Sequence, residues 1–280
     1  MSGIIDQLDS GSSLTCGGWW DAYDPGTVTI RDGTADRVDE ITDKSDGGWD
    51  LVNEDGTDTD HPQLVAGGIR FTEDGDHHLR NTSFSQDWDS VTVFASFTFR
   101  DDPHHTVLVA QSNGGVDADF MIMLRKATGN AMNWQYNVGK GSAQTRTVNV
   151  ADVFVQDVKR VMTFIVSPTA DDYVRLRISA HTSATNNAIV EMYDSDEVTD
   201  AASSGGMIGS SADDGLYVNA HTATSPAYTA GLDLHELALF DGVCSETEIT
   251  RIENYMLHHG PSKSPRQSPP GIGLGVNARR

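Results

Sequence analysis

Apolar and polar residues alternate along segment after segment of this chain. That period of two restricts it to antiparallel sheets with one face on a core. In Val91–Phe99, residues Val91, Val93, Ala95, Phe97 and Phe99 fall on one face and Thr92, Ser96 and Thr98 on the other; Phe94 alone breaks the pattern. Phe120, Ile122 and Leu124 alternate with Met121, Met123 and Arg125, and Met132, Trp134, Tyr136 and Val138 with Asn133, Gln135 and Asn137. Val174, Leu176 and Ile178 do the same with Tyr173, Arg175 and Arg177. Residues 161–166 are apolar on both faces, as expected of a central strand. Shorter strands are expected at 28–31, 38–41, 49–52, 69–71, 78–79, 207–208 and 216–218, set apart by turns such as Asp24-Pro25-Gly26, Asp32-Gly33 and Asp74-Gly75.

The chain then changes period. Residues 232–240 read as a buried strand and Asp241-Gly242 as a turn. Ser245 followed three residues later by Glu248 is a capping box, in which hydroxyl and carboxylate satisfy the free N–H groups that open a helix. Ile249, Ile252, Tyr255 and Met256 recur at helical spacing until Gly260-Pro261, so a helix is expected over 246–258. No solenoid or propeller period is present. The pattern predicts an all-β, two-sheet antiparallel sandwich over 19–260 with one short C-terminal helix. Residues 1–18, with a short amphipathic piece around Ile4, Ile5 and Leu8, read as an arm and linker; 261–280 read as a second, basic Pro/Gly-rich arm.

Charge narrows the setting. Asp and Glu number 41 against 19 Lys and Arg, a net charge of −22 with a pI near 4.5. The acids are 32 Asp and 9 Glu, and the bases 14 Arg and only 5 Lys. Short hydrated carboxylates in excess, with lysine scarce, suit a chain that works at very high salt, where self-repulsion is screened. No basic patch is available to displace counterions from phosphates, so direct nucleic-acid binding is not expected. No apolar run is long enough to span a membrane, and residues 1–18 lack the basic start and apolar stretch of a secretory leader. Cys16 and Cys244 are too few for a disulfide framework; a single bridge between them and two free buried thiols both remain open.

Several segments carry a resemblance. Trp20-Asp21-Ala22-Tyr23-Asp24, Val38 through Asp43-Lys44-Ser45, 47–51, Leu64, Gly68-Ile69-Arg70-Phe71 and 90–100 resemble the first half of laminin-G-like domains. Residues 234–240, Cys244-Ser245-Glu246-Thr247-Glu248-Ile249 and Ile252-Glu253-Asn254-Tyr255 resemble their close. These domains belong to the concanavalin A-like lectin and glucanase superfamily. The likeness, over about 19–259, is greatest to versions in structural proteins of tailed viruses. It implies a jelly roll of two curved antiparallel sheets, capped at one end by the Ser245 helix. It implies little about activity, because the superfamily includes lectins, adhesion modules, glycosidases and inert virion parts.

Candidate sites are sparse. Glycosidases of this superfamily carry a Glu-x-Asp-x-Glu strand with two carboxylates on one face. The nearest string here runs from Glu191 through Asp194 and Asp196 to Glu197 and has the wrong spacing, so no catalytic residues are expected. Six of the ten histidines fall in three adjacent pairs, His77-His78, His104-His105 and His258-His259. Neighbours on a strand or helix diverge, so such pairs seldom share a metal; zinc is not expected, and exposed or interface histidines are. Asp55, Asp58 and Asp60 alternate in a loop that calcium or another hard cation would favour, without the glycine and terminal Glu of an EF-hand; otherwise no cofactor is expected. Trp49, Trp88, Trp134 and Tyr136 are candidates for a sugar-stacking platform, although the alternation around Trp134 and Tyr136 also fits a core.

The tail, 261–280, holds no acid and four bases, Lys263, Arg266, Arg279 and Arg280, so residues 1–260 carry −26. Extended, it can reach roughly 60 Å, enough to cross onto a neighbouring copy as an inter-subunit arm. Taken with the resemblance, the expected role is a non-catalytic structural component of a virus particle, infecting a halophilic archaeon and assembled in the host cytoplasm. A capsid decoration, turret or spike and a tail or fibre part are equally compatible. Its partners would be other virion proteins, copies of itself and a host-surface glycan. A cellular lectin or adhesin and a glycoside hydrolase are the alternatives.

Overall fold

The computed structural model describes residues 3–53, 61–72, 77–86, 88–100, 106–112, 118–126, 131–138, 144–149, 155–167, 173–181, 189–195, 198–199, 215–220 and 231–260. In chain order the strands are β1 (Thr15–Asp21), β2 (Val28–Ile30), β3 (Val38–Ile41), β4 (Leu51–Val52), β5 (Gln63–Val65), β6 (Gly68–Phe71), β7 (Leu79–Asn81), β8 (Val91–Phe99) and β9 (Thr106–Ser112). They continue with β10 (Ala118–Lys126), β11 (Ala131–Val138), β12 (Gln144–Asn149), β13 (Lys159–Ser167), β14 (Tyr173–His181), β15 (Ile189–Asp194), β16 (Val198–Thr199), β17 (Gly215–Val218) and β18 (Leu232–Asp241), before helix α1 (Glu246–His258).

The strands form two antiparallel sheets. One runs β15-β14-β13-β8-β18-β6-β5, with β1 also on β18 and β16 on β14; the other runs β12-β11-β10-β9-β17-β7-β4-β3-β2. Their facing sides share one core, to which β8 gives Val91, Val93, Ala95, Phe97 and Phe99, as the alternation predicts. Burying each of these valines and phenylalanines stabilises the fold by about 1.5–3 kcal/mol before entropy is counted.

A second apolar cluster lies on the outer side of the first sheet. Ile249, Ile252, Met256 and Leu257 of α1 pack there on Phe94, Val161, Ile165, Ala238 and Phe240. Phe94 therefore breaks the alternation because α1 covers it, its ring standing edge-on to Phe240 at 5.9 Å. The helix spans the expected residues, and its capping box is formed by Ser245 and Glu248 as predicted.

Of residues 3–18, read from sequence as an arm and linker, Ile4, Leu8, Leu14 and Cys16 pack against this cluster. Ile4 is fully buried in it, and β1 begins at Thr15 rather than at Trp19. The cause is an edge left uncovered: β6 pairs only with Leu232, Asp233 and Leu234 of β18, and β1 takes the rest, Glu236 to Asp241. Glycine makes the approach possible, since a Cβ on Gly17 or Gly18 would stand 2.3 Å from the rings of Trp88 and Trp20 respectively.

Candidate functional site at the end of the C-terminal helix

Where α1 ends, a row of outward-facing residues crosses the first sheet. Asp21 of β1 is opposite Glu236 of β18, and Glu236 is opposite Ser96 of β8. Directly opposed residues of an antiparallel ladder share a face, so all three side chains point toward the helix side. His259, the residue that ends α1, comes down on this row. Its Nδ1 lies 3.1 Å from Glu236 Oε2, and Trp19 Nε1 donates to Glu236 Oε1 at 2.8 Å. Asp21 accepts from Lys44 Nζ at 3.0 Å and from the Tyr23 N–H at 3.0 Å, while Lys44 also reaches Asp24 at 3.1 Å. The side chains of Glu236 and Asp21 are 0% and 3% exposed, that of His259 25%. Among the described residues this is the one group of three His, Cys, Asp or Glu whose ligand atoms all lie within 4.8 Å of one another.

Aromatic rings wall the cluster. His259 stacks on Tyr255 at 4.9 Å and meets Tyr23 edge-on at 5.5 Å, and Tyr23 stacks on His235 at 5.2 Å. Lys159 Nζ donates to the His259 carbonyl and lies 4.8 Å above the Tyr23 ring. Burial pushes the Lys159 amine down to about 8. The hydrogen bond to Glu236 holds His259 above the usual imidazole value. Burial drives His235 the other way, to about 3, so its ring is neutral: Nδ1–H donates to the Gly67 carbonyl and Nε2 accepts from Thr98 Oγ1 at 2.7 Å. The arrangement can hold a cation or a proton between carboxylates and imidazole. Asp21 and Glu236 are too enclosed to meet a sugar ring.

A second polar network fastens the middle of α1. Glu253 is buried and accepts from Thr163 Oγ1 (2.7 Å), Ser179 Oγ (2.9 Å) and Arg177 Nη2 (3.1 Å). Burial raises its pKa despite these donors. Arg177 also pairs with Glu191 at 3.3 Å, and Arg175 with Asp194 and Glu246.

The sugar-platform residues are dispersed. Trp88 is 1% and Trp134 0% exposed, one donating to Gln111 Oε1 at 2.9 Å and the other to the Tyr193 hydroxyl at 3.2 Å. Both belong to the core between the sheets and cannot stack on a sugar, because in each case the inward parity of a strand or its flank buries the ring. Trp49 is half-buried, edge-on to Phe84 at 5.3 Å. Tyr136 lies opposite Ile122 and Gln144, and its side chain is outside the described residues. Asp55, Asp58, Asp60, Glu197, His104, His105, Lys263, Arg266, Arg279 and Arg280 also lie outside them.

The expectation of exposed histidines is corrected for one pair: His77 and His78 are buried, because the loop they occupy is drawn inward by Asn53 and Asn219, whose amides donate to the two histidine carbonyls. Cys16 and Cys244 are free thiols, both against the cluster under α1. No bridge joins them here; Cys16 is opposite Phe240, four residues before Cys244. Sequence reasoning placed Asp21 and Glu236 only within the resembling segments and marked neither them nor Lys159 as site residues.

No family model and no curated protein sequence matches the chain. Among solved structures, an α-L-arabinofuranosidase of glycoside hydrolase family 54, soaked with a cyclic sulfate inhibitor, aligns with a TM-score of 0.58 at 11% identity over 91% of this chain. This chain spans 65% of that protein's length. Domain 4 of AbnA, an extracellular family 43 arabinanase from Geobacillus stearothermophilus in complex with arabinotriose, aligns with a TM-score of 0.53 at 13% identity, covering 86% of this chain and 100% of the domain. At such identities the likeness is one of fold alone, an all-β antiparallel jelly-roll sandwich.

Proposed function

We propose that the chain is a non-catalytic, carbohydrate-facing structural module of a virus particle that works at high salt. The observation that carries the non-catalytic part is the engagement of the buried carboxylates. Asp21, Glu236, Glu253 and Asp233 each accept from lysine, tryptophan, arginine or hydroxyl donors inside the fold. An acid or nucleophile of a glycosidase must instead reach the glycosidic oxygen or the anomeric carbon. Glu191 of β15, the described glutamate of the string nearest to a catalytic pattern, is paired with Arg177 of β14. The carbohydrate part draws support from the arabinanase domain seen with arabinotriose, which this chain matches over the whole of that domain. The virion part draws on the resemblance to laminin-G-like domains of tailed viruses and on the net charge of −22. In this reading the basic tail, residues 261–280, ties neighbouring copies together.

Two measurements test it. Incubation in molar KCl with arabino-oligosaccharides and host-surface polysaccharide should show binding without release of reducing ends. Release that disappears in Glu191→Gln would overturn the non-catalytic reading. Mass spectrometry of purified particles should find the protein at a fixed copy number, and loss of 261–280 should abolish its incorporation. Recovery from the host cell surface alone would favour the cellular lectin.

A further inference from the structure

We infer that Asp21, Glu236 and His259 form a binding site for a divalent transition metal, zinc by the chemistry of the donors, with Ser96 beside it. One imidazole and two carboxylates are a donor set that zinc accepts with its fourth position open; calcium and magnesium avoid the nitrogen. In a tetrahedral zinc site with bonds of about 2.0–2.1 Å, ligand atoms stand roughly 3.3 Å apart. His259 Nδ1 and Glu236 Oε2 already stand 3.1 Å apart, and all three donors lie within 4.8 Å of one another.

Ser96 supplies an independent pointer. It is fully buried, its Oγ meets no hydrogen-bond partner, and it lies opposite Glu236 on the same face. A buried hydroxyl left unpaired is costly, and a water on the open position of the metal would pair it. The groups around the donors act as their supports. Trp19 fixes Glu236 Oε1 and leaves Oε2 toward His259, while the Tyr23 N–H holds Asp21 Oδ1 and leaves Oδ2.

Charge leaves room for a cation. Three carboxylates, those of Asp21, Asp24 and Glu236, converge on this end of the sheet. Lys44 is shared with Asp24, which is 43% exposed, and can stay there when Asp21 turns to a metal. The three ligands come from β1, β18 and the end of α1, so a bound ion would clamp the first strand and the helix to the last strand.

The experiment uses the full-length protein, stripped with EDTA and titrated calorimetrically with zinc chloride in molar KCl, with cobalt(II) as a spectroscopic substitute. One saturable site is expected, with a raised Tm and the visible absorption of tetrahedral cobalt. His259→Gln and Asp21→Asn should each weaken it at least tenfold, and Ser96→Ala a few-fold. The other histidines and acids of the chain serve as the internal control. Zinc binding that is equally tight in His259→Gln and Asp21→Asn would overturn the assignment. So would the absence of saturable binding, or an octahedral cobalt spectrum, in the unaltered protein, a result that does not depend on either variant folding.

Discussion

Asp233 should be the most costly single carboxylate to remove. Its side chain is fully buried and accepts from Arg70 Nε (2.8 Å) and Nη2 (3.1 Å) and from Arg100 Nε (2.7 Å). It thereby joins β18 to β6 on one side and to the end of β8 on the other. Asp233→Ala leaves two guanidinium groups facing each other without the anion between them. Breaking a fully buried pair costs about 3–5 kcal/mol. Here Arg70 and Arg100 are 36% and 32% exposed and regain some water, so about 2–4 kcal/mol is the expected loss. For a domain of this size that lowers Tm by roughly 5–10 °C. The effect should also depend on pH in a set direction. Burial alone would raise the Asp233 pKa; the hydrogen bonds from Arg70 and Arg100 outweigh it and hold the group below the usual carboxylate range. A depressed folded pKa contributes stability that is complete above the unfolded value of about 3.9 and is lost as pH falls through the folded one. The gap between wild type and variant should therefore be full at pH 7 and shrink below about pH 4. Calorimetric melts across that range check both points. A Tm within about 2 °C of wild type at pH 7, or a gap unchanged in acid, would refute the reasoning.

The net charge of −22 makes self-repulsion large at low salt, and Tm should climb with KCl until screening saturates near 1 M, where the Debye length is about 3 Å; a flat response would show the acids to be neutral for stability. Burial pushes both Cys16 and Cys244 up to about 12, so at pH 8 thiol labelling of the native protein should run roughly a thousandfold slower than in denaturant; rapid labelling would place the thiols at the surface. Ser245→Ala removes the acceptor for the Glu248 N–H and should cost about 1 kcal/mol in urea titrations. Because Glu248 also accepts from the Asp9 N–H, proteolysis of residues 3–14 should quicken in the same variant, and unchanged cleavage would detach the arm from the cap.

The fold was legible where one physical cause acted alone. Alternation in Val91–Phe99 and in residues 173–178 reflects only which side of a strand meets the core, and the strands stand where it placed them. The helix was legible because its start signal is local, hydroxyl and carboxylate three residues apart. What escaped were elements with no local signal. β1 extends back to Thr15 because the far half of β18 needs a partner, which no window of sequence around Cys16 can express. Glu253 reads as an exposed helix residue by its charge, yet it is buried because Thr163, Ser179 and Arg177, from two strands far away in sequence, supply its donors.

The cluster at the end of α1 was hidden by one irregularity, and that irregularity did leave a trace. Trp19 and Glu236 are 217 residues apart in sequence, so only the fold can bring them together. Glu236 faces the helix, and not the core, because β18 bulges against β8 between Leu234 and Glu236. The extra residue shifts parity: Leu232 and Leu234 point into the core before it, Leu237 and Leu239 after it. A strand with strict period two would put Glu236 on the same face as Leu232 and Leu234, a carboxylate among leucines that nothing there could neutralise. The spacing of those four leucines, two, then three, then two, is thus the sequence signature of the bulge. It sends Glu236 outward beside Asp21 and Ser96 and under His259, and the next residue to face the core after Leu234 is Leu237 rather than a charge. The same step leaves His235 at the bulge itself, with its ring fixed between Thr98 and the Gly67 carbonyl and stacked on Tyr23, so the irregularity that exposes Glu236 to the helix also builds one wall of the site.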